Sequence, residues 1–257
     1  MGKFFVKTNQ IDNNAINITG DDVNHIKNVL RLNVGDRIDI CNSDNSQNYI
    51  CEIKNILSKE IECIIIESLE TSVEGNVELH IFQGLPKSDK MELVIQKGTE
   101  LGVSEFIPVN FKRSIVKLSG KDEIKKIDRW NKISEIAAKQ CGRDIIPKVR
   151  HIENVKDICS QISDYDIVLV AYELEKENYI KTEIQKIKGI KDKYKIAIVI
   201  GPEGGIESEE INTLKESGAK IISLGKRILR TETVAMQVSS IIMYELEESG
   251  GNYIGKS

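Results

Sequence analysis

Two short stretches hold residue types that can do chemistry. Leu224 to Ala235 reads LGKRILRTETVA, and Gly201 to Gly205 reads GPEGG. In the first, Arg227 and Arg230 stand on one short loop, where two guanidiniums grip a phosphate or a carboxylate bidentately. Glu232 and Thr233 follow and can orient them. The plainer alternative is an ion pair that pins a helix start. In the second, Pro202 fixes one φ, while Gly204 and Gly205 permit positive φ and a close approach of bare backbone to a ligand. A tight structural turn is the plainer alternative there. The GPEGG loop lacks the Lys-Ser/Thr of a P-loop and is not GxGxxG. Glu203, Glu207, Glu209 and Glu210 would repel an anion, so an adenosine or a cationic ligand fits better. His25, His80 and His151 match no metal-ligand spacing. No GxSxG supports a Ser-His-Asp site.

Both stretches need strands and helices to hold them. Lys195–Ile200 and Ala219–Leu224 are apolar runs that read as buried strands. Each is followed by one of the loops and then by a helical pattern, about Ser208–Ser217 and Thr231–Glu247, the second with Thr231 as its cap. Loops at the carboxyl ends of strands form the binding crevice of an open α/β sheet. Upstream the pattern alternates. Val77–Gln83 and Ile167–Ala171 read as strands, and Val103–Pro108, Ser114–Leu118 and Val149–Ile152 as extended. Lys87–Leu101, Lys121–Cys141, Val155–Ile162 and Tyr179–Ile187 read as helices. Such alternation predicts a parallel sheet with helices on both faces. Residues 1–72 differ. Short strands at Phe4–Val6, Arg37–Ile40, Tyr49–Ile56 and Glu60–Ile66 surround one helix, Val23–Leu30, capped by Asp21 or Asp22. They suggest a small β-barrel. The polar stretch Thr71–Asn76 marks the boundary, and Gly250–Ser257 reads as a loose tail.

The chain has 257 residues and a formal net charge of −4, so bulk charge does not announce a nucleic-acid binder. Charge is uneven, however. Pro108–Arg150 holds 12 Lys/Arg against 5 Asp/Glu. That run is either a solvated helix face or a phosphate-binding face. Trp130 within it either stacks a base or anchors the core. The five cysteines form no CxxC pair and read as buried free thiols in a reducing compartment. No signal peptide is visible, and no apolar run approaches the roughly 18 residues of a membrane span. A soluble cytoplasmic protein is expected.

IGPEGGIESEEI and SLGKRILRTETVA closely resemble the 16S ribosomal RNA uridine N3-methyltransferases, a family of the SPOUT superfamily. HIKNVLRLNVGDRI at His25–Ile38 resembles the family's N-terminal PUA-like barrel. LPKSDKMELVIQKGTELGV, FKRSIV and AAKQCGRDIIP resemble its middle segments. Ile206 stands where the family commonly has Phe, and Glu207-Ser208 where it has Ser/Thr-Pro, which weakens the expected helix cap. The resemblance implies an α/β fold: a SPOUT-type parallel sheet with a C-terminal trefoil knot over residues 73–251, a PUA-like β-barrel over 1–72, and a loose tail at 252–257. It implies S-adenosylmethionine as methyl donor and uridine N3 in 16S rRNA of the small subunit as acceptor. It further implies a homodimer, with no metal and no membrane.

By the same resemblance the donor rests on three loops. These hold Val170, Ala171, Tyr172 and Glu173; Ile200, Gly201, Pro202, Glu203, Gly204 and Gly205; and Ser223, Leu224, Gly225, Arg227, Ile228 and Leu229, with Thr233 and Ala235 behind them. Backbone of Gly201, Gly204, Leu224 and Leu229 would cradle adenine and ribose. Arg230 would stabilise the developing uracil anion, Arg227 would hold an RNA phosphate, and Glu232 would be a base or an orienter of Arg230. Arg31, Lys87, Lys112, Arg113, Arg129 and Arg143 are the expected RNA contacts. Two readings of other classes compete. One is an RNA-binding or ribosome-assembly module that keeps the fold without chemistry; the other is a nucleotide-binding enzyme using GPEGG as a phosphate loop.

Overall fold

A computed structural model of the chain describes residues 2–70 and 72–246. Thr71 in the boundary stretch, Glu247 at the expected helix end and the Gly250–Ser257 tail lie outside the described residues. The described residues fall into two compact units, one within Met1–Glu74 together with Glu135–Ile146, the other within Gly75–Ser134 together with Pro147–Ser257.

The first unit is built on β1 (Phe4–Val6), β2 (Ile11–Asp12), β3 (Ala15–Thr19), α1 (Asp21–Asn24), β4 (Arg37–Asn42), β5 (Gln47–Ile56) and β6 (Glu60–Leu69). The strands form one sheet in the order β1-β4-β5-β6-β3-β2. Register shifts at Ile50/Cys51 and Ile53/Asn55 bend β5 against β6, as bulges do. The expected barrel is thus a curled sheet whose order ends at β1 and β2. Alternate residues face a core of Phe4, Ile16, Ile18, Ile38, Ile40, Ile53 and Ile61. After α1 the chain widens into a π-helical stretch, His25–Leu30. Asp21 and Asp22 lie in the first turn of α1 and do not cap it. Gly20 takes the cap position at φ +78°.

In the second unit β7 (Val77–Gly84), α2 (Lys90–Glu100), β8 (Glu105–Val109) and α3 (Gly120–Cys141) are followed by β9 (Lys148–Val149), α4 (Val155–Gln161) and β10 (Ile167–Ala171). The unit is completed by α5 (Ile180–Ile187), β11 (Tyr194–Ile200), α6 (Ser208–Glu216), β12 (Lys220–Ile222) and α7 (Thr231–Leu246). All sheet pairs are parallel, in the order β12-β10-β11-β7-β8-β9. Both faces are buried, which is why the strands read as continuous apolar runs. In β11, Ile196, Ile198 and Ile200 face a core shared with residues of α2, α5 and α7. Ala197 and Val199 face the other core, shared with α4 and α6.

Three expectations are corrected, and the open reading of Trp130 is decided for the core anchor. Ser114–Leu118 joins no strand, because β8 is already flanked by β7 and β9. The helix expected from Lys87 begins at Lys90, since Ser88 takes φ +57° and cannot continue a helix. Trp130 is buried in the core and presents no face to a base. Cysteines 41, 51 and 63 are buried, but Cys141 is exposed and Cys159 half-buried.

Candidate active site

The strand order explains why distant loops meet. β12, β10, β11 and β7 are consecutive neighbours and parallel, so their carboxyl ends emerge side by side. A cavity of about 540 Å³ opens there. Fifteen residues expected at the donor or catalytic site line it: Ala171, Tyr172, Glu173, Ile200, Gly201, Pro202, Glu203, Gly205, Ser223, Leu224, Gly225, Arg227, Ile228, Leu229 and Arg230. The two glycine-bearing loops therefore share one cavity.

Some expected residues stand elsewhere. Val170 and Ala235 are packed in the two cores. Gly204 faces away: a Cβ there would lie 3.1 Å from Arg113 Cβ and Arg113 O. Glu232 and Thr233 are not in the lining. Glu232, read as a base or a partner of Arg230, has its Oε2 3.6 Å from Lys90 Nζ instead.

Hydrogen bonds tie the loops together. Thr231 does not cap α7; it is the first residue of that helix. Its hydroxyl donates to Gly201 O at 2.7 Å and accepts from Gln83 Nε2 at 2.8 Å. One buried side chain thus joins the ends of β7 and β11 to the start of α7. Gly84 is required beside it, because a Cβ there would lie 2.5 Å from Pro202 N, against main chain that cannot give way cheaply.

The acidic residues around GPEGG are all engaged. Glu203 accepts from Lys90 Nζ at 2.9 Å and from Lys87 N at 3.1 Å. Burial pushes its carboxyl up, but the Lys90 bond and backbone N–H groups outweigh this and hold it below the usual carboxylate range. Lys90 is raised above the ordinary lysine value, chiefly by its hydrogen bond to Glu203. Glu207 and Glu209 hold Lys112, at 3.4 and 2.6 Å. The cap of α6 survives the Glu207-Ser208 departure, since Glu210 Oε2 accepts from Glu207 N at 3.1 Å.

The expected RNA contacts divide. Arg31 and Lys87 are exposed. Lys112 is bound as above, Arg113 Nη1 donates to Gly204 O at 3.3 Å, and Arg129 Nη2 pairs with Glu92 at 2.8 Å. Arg143 is corrected outright: it is buried, with Nη2 2.6 Å from Glu74 Oε2 and Nε 3.2 Å from both carboxylate oxygens. By contrast, Lys226, Arg227 and Arg230 line the cavity and make no ion pair among the described residues.

Sequence comparison adds the lineage. An RNA methyltransferase domain profile matches residues 73–243, and an RNA methyltransferase PUA domain profile matches residues 18–66. The chain belongs to the RNA methyltransferase family. The Ribosomal RNA small subunit methyltransferase E of Bacillus subtilis is 38% identical over 91% of each chain. That of Mesomycoplasma hyopneumoniae is 32% identical over 92% of this chain and 96% of its own. A Legionella pneumophila protein solved in complex with the bound cofactor SAM superposes with a TM-score of 0.84 at 26% identity, covering 96% of this chain and 98% of that one. In this RNA methyltransferase, Lys90, Ile206, Thr231 and Val234, not expected at the donor site, also line the cavity, as does Lys226 within the expected loop 223–229. Lys90 does leave a signal: a cation on the first turn of a helix opposes the macrodipole. Among the described residues no cluster of three or more His, Cys, Asp or Glu could hold a metal ion, and no helix is long and apolar enough to cross a membrane.

Proposed function

We propose that the protein transfers the methyl group of S-adenosylmethionine to N3 of one uridine in the 16S ribosomal RNA of the small subunit. The observation that carries this reading is the cavity shared by the GPEGG and LGKRILR loops, in a chain whose relatives are named small-subunit ribosomal RNA methyltransferases. The lining suits the cofactor. Its volume lies within the range of about 300–1,000 Å³ usual for small-molecule sites. Ile206, Leu224, Leu229 and Val234 offer apolar surface to an adenine. Glu173 suits ribose hydroxyls or an ammonium, and Lys226 and Arg227 suit a carboxylate. Bound there, the cofactor supplies an activated methyl group on a positively charged sulfur.

The chain's own task is then mostly positioning. Uridine N3–H is a weak acid, so negative charge on the ring must also be stabilised. Arg230, at the cavity and without an anionic partner among the described residues, is assigned that role. Arg227 is assigned an RNA phosphate. Glu232 acts as an orienter rather than a base, and the cation it orients is Lys90. Residues 1–72, with Arg31, hold the RNA by shape and phosphates, and residues 73–251 carry the chemistry. A trefoil knot at the carboxyl end, a homodimer and a cytoplasmic location complete the proposal. Ile228 and Tyr244, 88% and 85% exposed, support the dimer, since large apolar groups left to water are candidates for burial by a second copy.

Reverse transcription of 16S rRNA tests the reading, because N3 methylation blocks Watson–Crick pairing. The stop at the modified uridine is expected to vanish in a deletion strain and to return with the wild-type gene. An unchanged stop would leave only the RNA-binding module. Calorimetry showing ATP bound more tightly than S-adenosylmethionine would favour the phosphate-loop enzyme.

A further inference from the structure

The first turn of a helix is an unfavourable place for a cation, because its unpaired N–H groups make that end positive. Lys90 is nevertheless the first residue of α2, and it lines the cavity. Two carboxylates hold it there. Nζ donates to Glu203 Oε1 at 2.9 Å, and Glu232 Oε2 lies 3.6 Å away, at ion-pair distance. That Glu232 oxygen is shut off from solvent and has no hydrogen-bond partner. An ammonium carries three N–H donors, and the bond to Glu203 uses one. The side chain is 29% exposed and lines the cavity, which leaves its remaining donors free for a ligand there. The other cations of the lining, Lys226, Arg227 and Arg230, are exposed and have no such anchors among the described residues. Lys90 is therefore a cation whose place is set before anything binds, the arrangement that costs least reorganisation during a reaction.

We propose that Lys90 is the fixed cation of the acceptor subsite. It donates to the uracil carbonyl oxygen that carries negative charge once N3 has lost its proton, with Glu203 and Glu232 as the positioning residues that aim it. The proposal rests on the N3-methylation reading above. In the transfer the N3–H bond breaks and its proton passes to water. The nitrogen's electron pair forms the new N3–C bond, and the C–S bond breaks with its pair kept on sulfur. Until the new bond is complete the ring is anionic, its charge shared with the neighbouring carbonyl oxygens. A fixed ammonium beside one of them stabilises that state more than it stabilises neutral uracil, which is the condition for acceleration. Because Glu203 belongs to the GPEGG loop, the same ion pair couples the donor loop to the acceptor cation.

The test is single-turnover methylation of small-subunit RNA from a deletion strain, prepared with uracil or with 5-fluorouracil, whose N3 is more acidic. Lys90→Met is expected to lower the rate on uridine RNA by about 10²-fold. Calorimetric affinity for S-adenosylmethionine should stay within a few fold. On 5-fluorouridine RNA the deficit should shrink by about tenfold, because a ring that ionises more readily needs less help. Lys90→Arg, which keeps the charge, should retain most of the rate. An unchanged rate in Lys90→Met, or an equal deficit on both RNAs, would overturn the proposal and leave Lys90 as a pin between loops. Wild-type protein that forms no N3-methyl product on either RNA would instead bring down the reading beneath it.

Discussion

Residues 108–150 carry 12 Lys/Arg against 5 Asp/Glu, whereas the loop 223–230 carries three cations and no acid. In the first region the structure supplies most of the missing anions from elsewhere in the chain, with Glu135 the local exception. Glu209 holds Lys112, Glu92 holds Arg129, Glu135 and Asp22 hold Lys139, and Glu74 holds Arg143. In the second region Lys226, Arg227 and Arg230 stay without carboxylate partners among the described residues, at the edge of a cavity. An excess of positive charge in sequence is therefore weak evidence for a nucleic-acid face. For a phosphate arriving from solvent, the cations to watch are those the fold leaves unneutralised where a ligand can reach them; Lys90, paired with Glu203 and Glu232, adds little to that field and acts only through a direct hydrogen bond.

The contrast breaks most visibly at its buried end. Arg143→Ala leaves the half-buried Glu74 carboxylate only the N–H groups of Asp144 and Ile145, and losing charged hydrogen bonds of this kind costs about 2–3 kcal/mol. Urea unfolding should show that loss. A loss of about 1 kcal/mol or less, the level of an exposed pair, would return Arg143 to the surface. At the cavity, Arg230→Ala should lower turnover by about 10²-fold or more while donor affinity stays within a few fold. Collapse of donor affinity with normal turnover at saturation would show Arg230 to be a binding residue.

Acid is a milder probe of the first region. Burial pushes the Asp144 carboxyl up, but hydrogen bonds from Lys3, Ser72 and the Val73 N–H outweigh it and hold the group below the usual carboxylate range. A carboxyl depressed in the native state contributes stability above its unfolded value, about 3.9, and that contribution is lost as pH falls through the lower native value. Wild type should therefore lose stability below pH about 4 more steeply than Asp144→Asn; parallel curves would contradict the assignment. The smallest effects sharpen the comparison. Arg227→Ala should weaken RNA binding and reduce the salt slope by about one contact. Arg129→Ala, whose cation already has Glu92, should change affinity by about twofold at most. Equal salt slopes for the two variants would erase the distinction between regions.

Much of the site is legible in the order of residues. Ile196–Ile200 and Ile167–Val170 announce buried parallel strands, and GPEGG and LGKRILR announce loops at strand ends, because strand periodicity and glycine chemistry are local properties. Residues 135–146 are not legible as part of the first unit, and for that reason Arg143 reads as a surface cation when it is a buried one. Nor is the partner of Glu232 legible. Lys90 precedes it by more than half the chain, and only the packing of α2 against α7 brings the two together.

The sequence by itself determined the alternation of strands and helices, the apolar runs that demand a sheet covered on both faces, and the two loops with the chemistry to hold a ligand. Tertiary structure alone decided which charges are neutralised and which remain free. It also turned Gly204 toward Arg113 and brought Lys90 to the cavity wall. Side-chain pairing depends on the order in which strands lie side by side, and that order joins residues a hundred positions apart that no local pattern can connect.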